Sequence, residues 1–265
     1  MKLSIALATY NEEENIADCL ESVKNLADEI VIVDGLSTDK TVDIARKYEA
    51  KVIEVPNDPQ FHANKQLAIE KCKGDWILQL DADERVSEEL KDEIKTALVK
   101  ENNEFAAYYL PRRNWFLTQF LQKGGVYPDY VIRLFRNGKG NFKHYDIIDN
   151  GITTSNVHAQ ISIDGKIGYL TKDLIHYGDK SIDRYFTRFN RYTSLEAENL
   201  HKLGFKANFG QFLNYVFYKP VYWFFKRFLR HRGYIDGFTG FTFALFSSLH
   251  YPVIYIKLWE MRKNR

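Results

Sequence analysis

Trp76-Ile77-Leu78-Gln79-Leu80-Asp81-Ala82-Asp83-Glu84 decides how the chain is read. Five mostly apolar residues have the length and composition of a buried strand. They run directly into two carboxylates separated by one small residue, with a third acid beside them. In an open α/β sheet the crevice beyond the carboxyl ends of the strands is where ligands bind. An Asp-x-Asp placed there suits a hard divalent cation shared with nucleotide phosphates, because Mg²⁺ usually takes one or two carboxylates plus substrate oxygens. The competing reading is a solvated turn that caps the next helix.

The residues before this stretch repeat one unit. Ser4 to Thr9 is a short apolar strand, and Asn11 with Glu14 has the spacing of an N-cap for a helix carrying Ile16, Leu20, Val23 and Leu26. Glu29 to Val33 is a second strand, ending in Asp34-Gly35. Ser37-Thr38-Asp39 then opens a second helix, Lys51 to Val55 gives a third strand, and a helix follows from about His62 to Lys73. Strands alternating with helices at this spacing predict βαβ units and a parallel sheet.

After a helix capped near Ser87, the rhythm changes. Phe105 to Leu110 and Val131 to Phe135 are strand-like, and Asn137-Gly138 is a turn pair. Residues 159–163 and Lys166 to Leu170, joined by Asp164-Gly165, read as a hairpin. The expected fold is therefore α/β with a mixed sheet. From Ser181 to about Leu203 a long amphipathic helix carries Arg184, Arg188 and Arg191 in line, three cations that could hold phosphate or form a solvated basic face.

Charge is unevenly spread. The net charge of 265 residues is +2, yet from Lys202 onward eleven Lys and Arg stand against only Asp236 and Glu260. Phe217, Tyr218, Tyr222, Trp223, Phe224, Phe225 and Phe228 are interleaved with Lys219, Lys226, Arg227, Arg230 and Arg232, the pattern of a helix lying in a membrane interface. Gly237 to Ile256 has no Asp, Glu, Lys or Arg. Gly240, Pro252 and His250 make it a poor spanning segment, so a partly inserted anchor is expected, with a buried helical hairpin or an oligomer interface as the alternative. The basic residues sit in runs too apolar for an electrostatic groove, which argues against nucleic acid. Cys19 and Cys72 fit no metal or Cys-x-x-Cys spacing and suggest a reducing compartment. The amino-terminal apolar run, soon broken by Glu12-Glu13-Glu14, reads as a strand and not as an export signal.

Three loops, Thr9-Tyr10-Asn11-Glu12, Asp34 to Thr41 and Asp81-Ala82-Asp83, leave strand ends that a parallel sheet would bring to one edge. Neither a phosphate-loop Gly-x-x-x-x-Gly-Lys nor a Gly-x-Gly-x-x-Gly after a strand occurs. With Ala8-Thr9-Tyr10-Asn11-Glu12, Val33-Asp34-Gly35, Ser37-Thr38-Asp39-Lys40-Thr41, Ala63-Asn64-Lys65 and Leu80-Asp81-Ala82-Asp83 in this order, the chain resembles the family 2 glycosyltransferases of the GT-A fold. Tyr127-Pro128, Arg133-Leu134-Phe135, Val157-His158, His176-Tyr177 and the aromatic tail are similar to the branch containing lipopolysaccharide core β-1,4-glucosyltransferases.

The resemblance implies an inverting, metal-dependent hexosyltransferase using a UDP-sugar and a lipid-linked or envelope glycan acceptor. It would be cytoplasmic and peripheral on the inner face of the membrane. The catalytic domain would cover 1–203, with a nucleotide-binding half at 1–100 and an acceptor half at 101–203, and residues 204–265 would form a membrane-associating helical tail. Thr9, Tyr10 and Glu12 would hold base and ribose, and Asp34 would accept a hydrogen bond from uracil. Asp81 would contact ribose or sugar, and Asp83 would bind Mg²⁺ or Mn²⁺. Lys65 and one or more of Arg184, Arg188 and Arg191 would assist at the diphosphate. An inverting transfer also needs a general base. The related branch places an acid after Val-His, whereas this chain has Ala159. That leaves His158, Asp129, Asp146 or Asp149 as the base, or a non-catalytic nucleotide-sugar-binding protein of the same fold.

Overall fold

A computed structural model of the chain describes residues 1–56, 61–99, 104–142, 147–149, 152–154 and 161–263. In order, the elements are β1 (Leu3–Thr9), α1 (Ile16–Glu21), β2 (Glu29–Asp34), α2 (Thr41–Lys47), β3 (Lys51–Glu54), α3 (Phe61–Glu70), β4 (Trp76–Leu80), β5 (Glu84–Val86) and α4 (Glu88–Val99). Next come β6 (Phe105–Phe116), β7 (Gln119–Phe120), β8 (Asp129–Arg136), β9 (Gly140–Asn141), β10 (Ile147–Asp149), β11 (Ile152–Thr154), β12 (Ser162–Ile163), β13 (Lys166–Tyr169) and β14 (Leu174–Asp179). The helices α5 (Ile182–Lys202), α6 (Phe209–Leu213), α7 (Lys219–Phe225) and α8 (Gly237–Lys263) complete the chain.

The principal sheet runs β3-β2-β1-β4-β8-β6-β14-β5. β1 is parallel to both β2 and β4, and β2 to β3. β8 is antiparallel to β4 and to β6, so the sheet is mixed, as the change of rhythm predicts. Side chains alternate across the parallel part because successive Cβ atoms point to opposite faces. Leu3, Ile5 and Leu7 of β1 join Trp76, Leu78 and Leu80 of β4 in one buried cluster with Leu20 and Leu90 of α1 and α4. Ala6, Val31, Val33 and Ile77 lie in a second, with Ala68 and Ile69 of α3. Helices thus cover both faces, the arrangement that lets a parallel sheet bury its apolar runs.

Two local expectations change. Helix α1 starts at Ile16 with Asn15 as N-cap, not at Asn11. Asn11 has φ 53°, a left-handed conformation that Asn tolerates, and its side chain serves the neighbouring loop instead of the helix. Residues 161–170 form no hairpin: β12 pairs with β9, while β13 runs parallel to β6. Gly165, at φ +134°, lets the chain pass from one sheet to the other. The charge-free run 237–256 lies within α8, whose Ala244, Ser248, Ile254 and Leu258 are buried. Among the described residues no helix is long and apolar enough to cross a membrane.

The chain groups into two compact units. The first holds 1–113, 129–143 and 159–176, hence the principal sheet with its helices. The second holds 114–128, the hairpin β10–β11 and 177–265. In it Ala197 of α5 packs with Tyr215, Ile254, Tyr255 and Leu258, and Tyr185 with Phe116, Leu121, Phe243 and Phe246. The expected boundary after Leu203 is therefore not a break in packing, since α5 shares its core with the C-terminal helices.

Candidate active site

The register of the first unit brings the three loops together. Thr9 stands opposite Asp34 across β1 and β2, and Leu7 opposite Leu80 across β1 and β4. The carboxyl ends of three adjacent parallel strands therefore open on one edge. Asp34 is 0% exposed, and its carboxylate accepts from Thr9 Oγ1, Ser37 Oγ and Ser37 N–H, each at 2.7 Å. A carboxylate offers about four acceptor sites, so these three donors occupy most of it. Asp34 acts here as a buried clamp between the β1 and β2 loops.

More bonds stitch the same loops. Asn11 N–H donates to Ser37 Oγ at 2.8 Å, and Asn11 Oδ1 accepts from Thr38 N–H at 2.8 Å. Glu12 N–H donates to Thr41 Oγ1 at 2.8 Å, and the Glu12 carboxylate accepts from Asn15 Nδ2 at 2.7 Å. Tyr10 stays 44% exposed on this braced loop, and Leu36, held at φ 62°, is 50% exposed. The pair leaves an aromatic ring and an aliphatic side chain in solvent above a rigid base.

Beyond β4 the acids separate into distinct roles. Asp81 is ion-paired with Lys65 of α3 and with Arg133 of β8, at 2.7 Å from the latter. Burial alone would raise its carboxyl, but Arg133 and Lys65 outweigh burial and hold it well below the usual carboxylate range. Glu84, 0% exposed, accepts from Arg133 at 2.8 Å and lies 3.4 Å from Arg112. It also accepts from the Asp81 N–H at 2.9 Å, while its own N–H returns to Asp81 O. Arg112 in turn donates from Nε and Nη2 to Asp129, at 3.0 and 2.7 Å. Charges alternate along Lys65, Asp81, Arg133, Glu84, Arg112 and Asp129, so each buried ion has an opposite neighbour, which is the condition for tolerating charge inside a protein.

Asp83 faces another way. Its Oδ2 is 3.5 Å from His176 Nε2, and both side chains are only slightly exposed. That separation is near the roughly 3 Å expected between neighbouring ligands of an octahedral ion with ~2.1 Å bonds. A carboxylate and an imidazole are a fitting donor set, with remaining positions left for phosphate oxygens and water. Asp81, occupied by two cations, is not available in the same way. Among the described residues no group of three or more His, Cys, Asp or Glu could hold a metal by itself.

The other expected residues are distributed as follows. Arg184, Arg188 and Arg191 lie on α5 in the second unit, where Arg188 is ion-paired with Asp179. Asp146, Val157, His158 and Ala159 fall outside the described residues, and Asp149 lies in β10. Asp129 is present as a candidate base but engaged by Arg112. Sequence reasoning passed over Gln79, Glu84, Arg112 and Arg133 as site residues. Arg133 carried a signal nonetheless: an arginine within the apolar run Val131 to Phe135 requires buried acids to receive it.

Comparison with known proteins follows the same lines. The model of glycosyl transferase family 2 matches residues 4–160. A Rickettsia felis protein described as an uncharacterized glycosyltransferase is 35% identical over 269 residues, covering 99% of this chain and 90% of its own. The Rhizobium meliloti lipopolysaccharide core biosynthesis glycosyltransferase LpsC is 28% identical over 98% of this chain and 93% of its own. Among solved structures, S. aureus TarS 1-349 gives a TM-score of 0.47 at 15% identity, covering 100% of this chain and 92% of that one.

Proposed function

The chain belongs to glycosyl transferase family 2, and from that membership we propose that it moves a hexose, glucose first among the candidates, from a UDP-sugar to a lipid-linked or cell-envelope glycan. The observation that carries this reading is the convergence of Tyr10, the Asp34 clamp and the Asp81–Asp83 turn at adjacent strand ends. The likeness to LpsC over nearly the whole chain supports an acceptor of the lipopolysaccharide core class.

In this account Tyr10 stacks on the base, while the Thr9–Asp34–Ser37 clamp and the Glu12–Thr41 bond fix the loop that presents it. Asp34 thus positions the base pocket. Lys65, held by Asp81 at the same edge, assists at the sugar or diphosphate. Asp83 with His176 would hold a divalent cation, which as a Lewis acid neutralises the charge developing on the departing diphosphate. Arg184, Arg188 and Arg191 remain candidates for the diphosphate, Arg188 only after release from Asp179.

The acceptor hydroxyl must lose a proton as it attacks the anomeric carbon. A base role for Asp129 would require breaking its two bonds from Arg112, so His158 is the first candidate. The acceptor class also implies work at a membrane surface, on the inner face of the cell membrane.

The test is a donor screen by UDP release in the presence of an acceptor-enriched envelope extract, followed by mass spectrometry of the extract. Acceptor-dependent release from one UDP-hexose, lost in Asp83→Ala and His158→Ala, is expected. Nucleotide-sugar binding without release from any donor would instead mark a non-catalytic binding protein.

A further inference from the structure

Residues 209–230 form one uninterrupted helix in which α6 and α7 alternate with two wide, i+5-bonded turns, Asn214–Tyr218 and Lys226–Arg230. Phe209, Leu213, Phe217, Val221, Phe225 and Leu229 recur at every fourth position, and each is exposed, Phe209 at 74%. In a regular α-helix a four-residue step overshoots a full turn by about 40°. Five such steps would carry Leu229 roughly 200° away from Phe209, onto the opposite face. Each wide turn accommodates one extra residue, about 100° of helix. The two together cancel the drift, and the six side chains stay on one side.

The opposite side of this helix is occupied. Tyr215 is buried with Tyr255 and Ile254, Trp223 stacks on Tyr251, and Phe224 and Phe228 meet Phe241 edge-on. The wide turns therefore separate a packed face from an apolar stripe about 30 Å long. Tyr218 and Tyr222 widen the stripe, and Tyr234, Ile235 and Phe238 follow it, the last at 82% exposure.

Charge along this stretch of the chain has one sign. Residues 199–235 contain seven Lys and Arg and no Asp or Glu. Lys202 and Lys206 precede the helix and are exposed, as are Arg230 and Arg232 at its far end. Lys226 lies along the edge, with Nζ 4.1 Å from the Trp223 ring centre and 5.6 Å from that of Tyr222. Apolar and tyrosine side chains with cations at both ends complement the surface of an anionic bilayer, where rings enter the acyl boundary and cations meet headgroups.

We propose that the stripe Phe209–Leu213–Phe217–Val221–Phe225–Leu229, aligned by the two wide turns, is the surface on which this protein lies in an anionic membrane interface. The inference rests on the reading of the protein as an enzyme acting at a membrane, and it names the contact.

Co-sedimentation of the full chain with phosphatidylcholine vesicles, with and without phosphatidylglycerol, tests it. Wild type should bind the anionic vesicles, in a salt-sensitive manner. Phe217→Ser/Val221→Ser/Phe225→Ser should bind at least tenfold more weakly, with circular dichroism and UDP binding unchanged. Tyr169→Ser, an exposed aromatic of the first unit, should bind as wild type. If the triple variant does not fold, single Phe225→Ser, at a half-exposed ring, should still weaken binding severalfold. Wild-type binding retained by the stripe variants would overturn the stripe and leave the membrane reading intact. Failure of wild type to bind either vesicle would overturn both. A dimer in solution that the stripe variants dissolve, without vesicle binding, would make a second copy the occupant and overturn the proposal.

Discussion

Arg133 shows most clearly what a single residue does here. Its guanidinium joins Asp81, which leads to Lys65, to Glu84, which leads to Arg112 and Asp129. Burial disfavours its charge, but Asp81 and Glu84 more than compensate, and its proton is held more firmly than in water. Arg133→Met should cost about 3–5 kcal/mol, because Glu84 would stay buried with its principal partner gone. Arg133→Lys should recover only part of this, since one ammonium cannot reproduce the guanidinium fork. Urea unfolding measures both, and a loss below 1 kcal/mol for Arg133→Met would mean that Arg112 alone supports Glu84. Asp81 and Asp83 stand out in the sequence as acids that directly follow an apolar strand, a pattern shared with solvated turns. The inward network of Glu84 and Arg133 was not legible, because the two residues are 49 apart in sequence and meet only through the non-local pairing of β8 with β4, the strand that leads into Glu84. At Asp34, which oxygens meet the protein's own hydroxyls depends on loop conformation, which residue type and spacing do not display.

At the scale of elements, two junctions carry checkable consequences. Glu29, at the start of β2, accepts from Ser4 Oγ of β1 and from the Lys73 N–H before β4, while Gly74 N–H donates to the same Ser4 oxygen. Burial would raise its carboxyl, but Ser4 and the Lys73 and Gly74 amides outweigh this and lower it. The folded pKa is thus below the unfolded value of about 4.3. Protonation therefore favours the unfolded chain: the contribution is complete above about pH 4.3 and is lost as pH falls toward the folded value. Glu29→Gln should flatten the acid limb of stability below about pH 5, read from melting temperatures as the pH is lowered. An unchanged limb would place the titration elsewhere. In the second unit a Cβ on Gly240 of α8 would sit 2.0 Å from Gly233 O. Gly240→Ala would ordinarily favour a helix, yet here it should destabilise by about 1–3 kcal/mol and lower the melting temperature by several degrees; a rise would contradict the close approach. The βα rhythm announced β1 to β4 and the four helices that alternate with them, though not the short β5, since apolar period is a local signal. The pairing of β13 with β6 is non-local, and the sequence suggested a hairpin because Asp164-Gly165 has turn chemistry whichever strands it joins.

For the whole molecule, the functional account assigns donor chemistry to the first unit and membrane contact to the second. The tail's aromatic and basic character was plain in the sequence. The two wide turns were not, because no residue type marks an i+5 turn, and it is they that place every fourth residue on one side. The charge-free run lies in α8, which is buried along one side at Gly240, Ala244 and Ser248 and exposed at Phe238, Phe241 and Leu249; composition alone does not divide the two sides. The central claim is that Asp83 and His176 complete a nucleotide-diphosphate site through a divalent cation, and calorimetric titration with UDP in the presence and absence of Mn²⁺ tests it most directly. The account predicts Mn²⁺-dependent UDP binding by the wild type, weakened about 10–100-fold in Asp83→Ala; equal affinity of the two proteins for UDP with Mn²⁺ would contradict it.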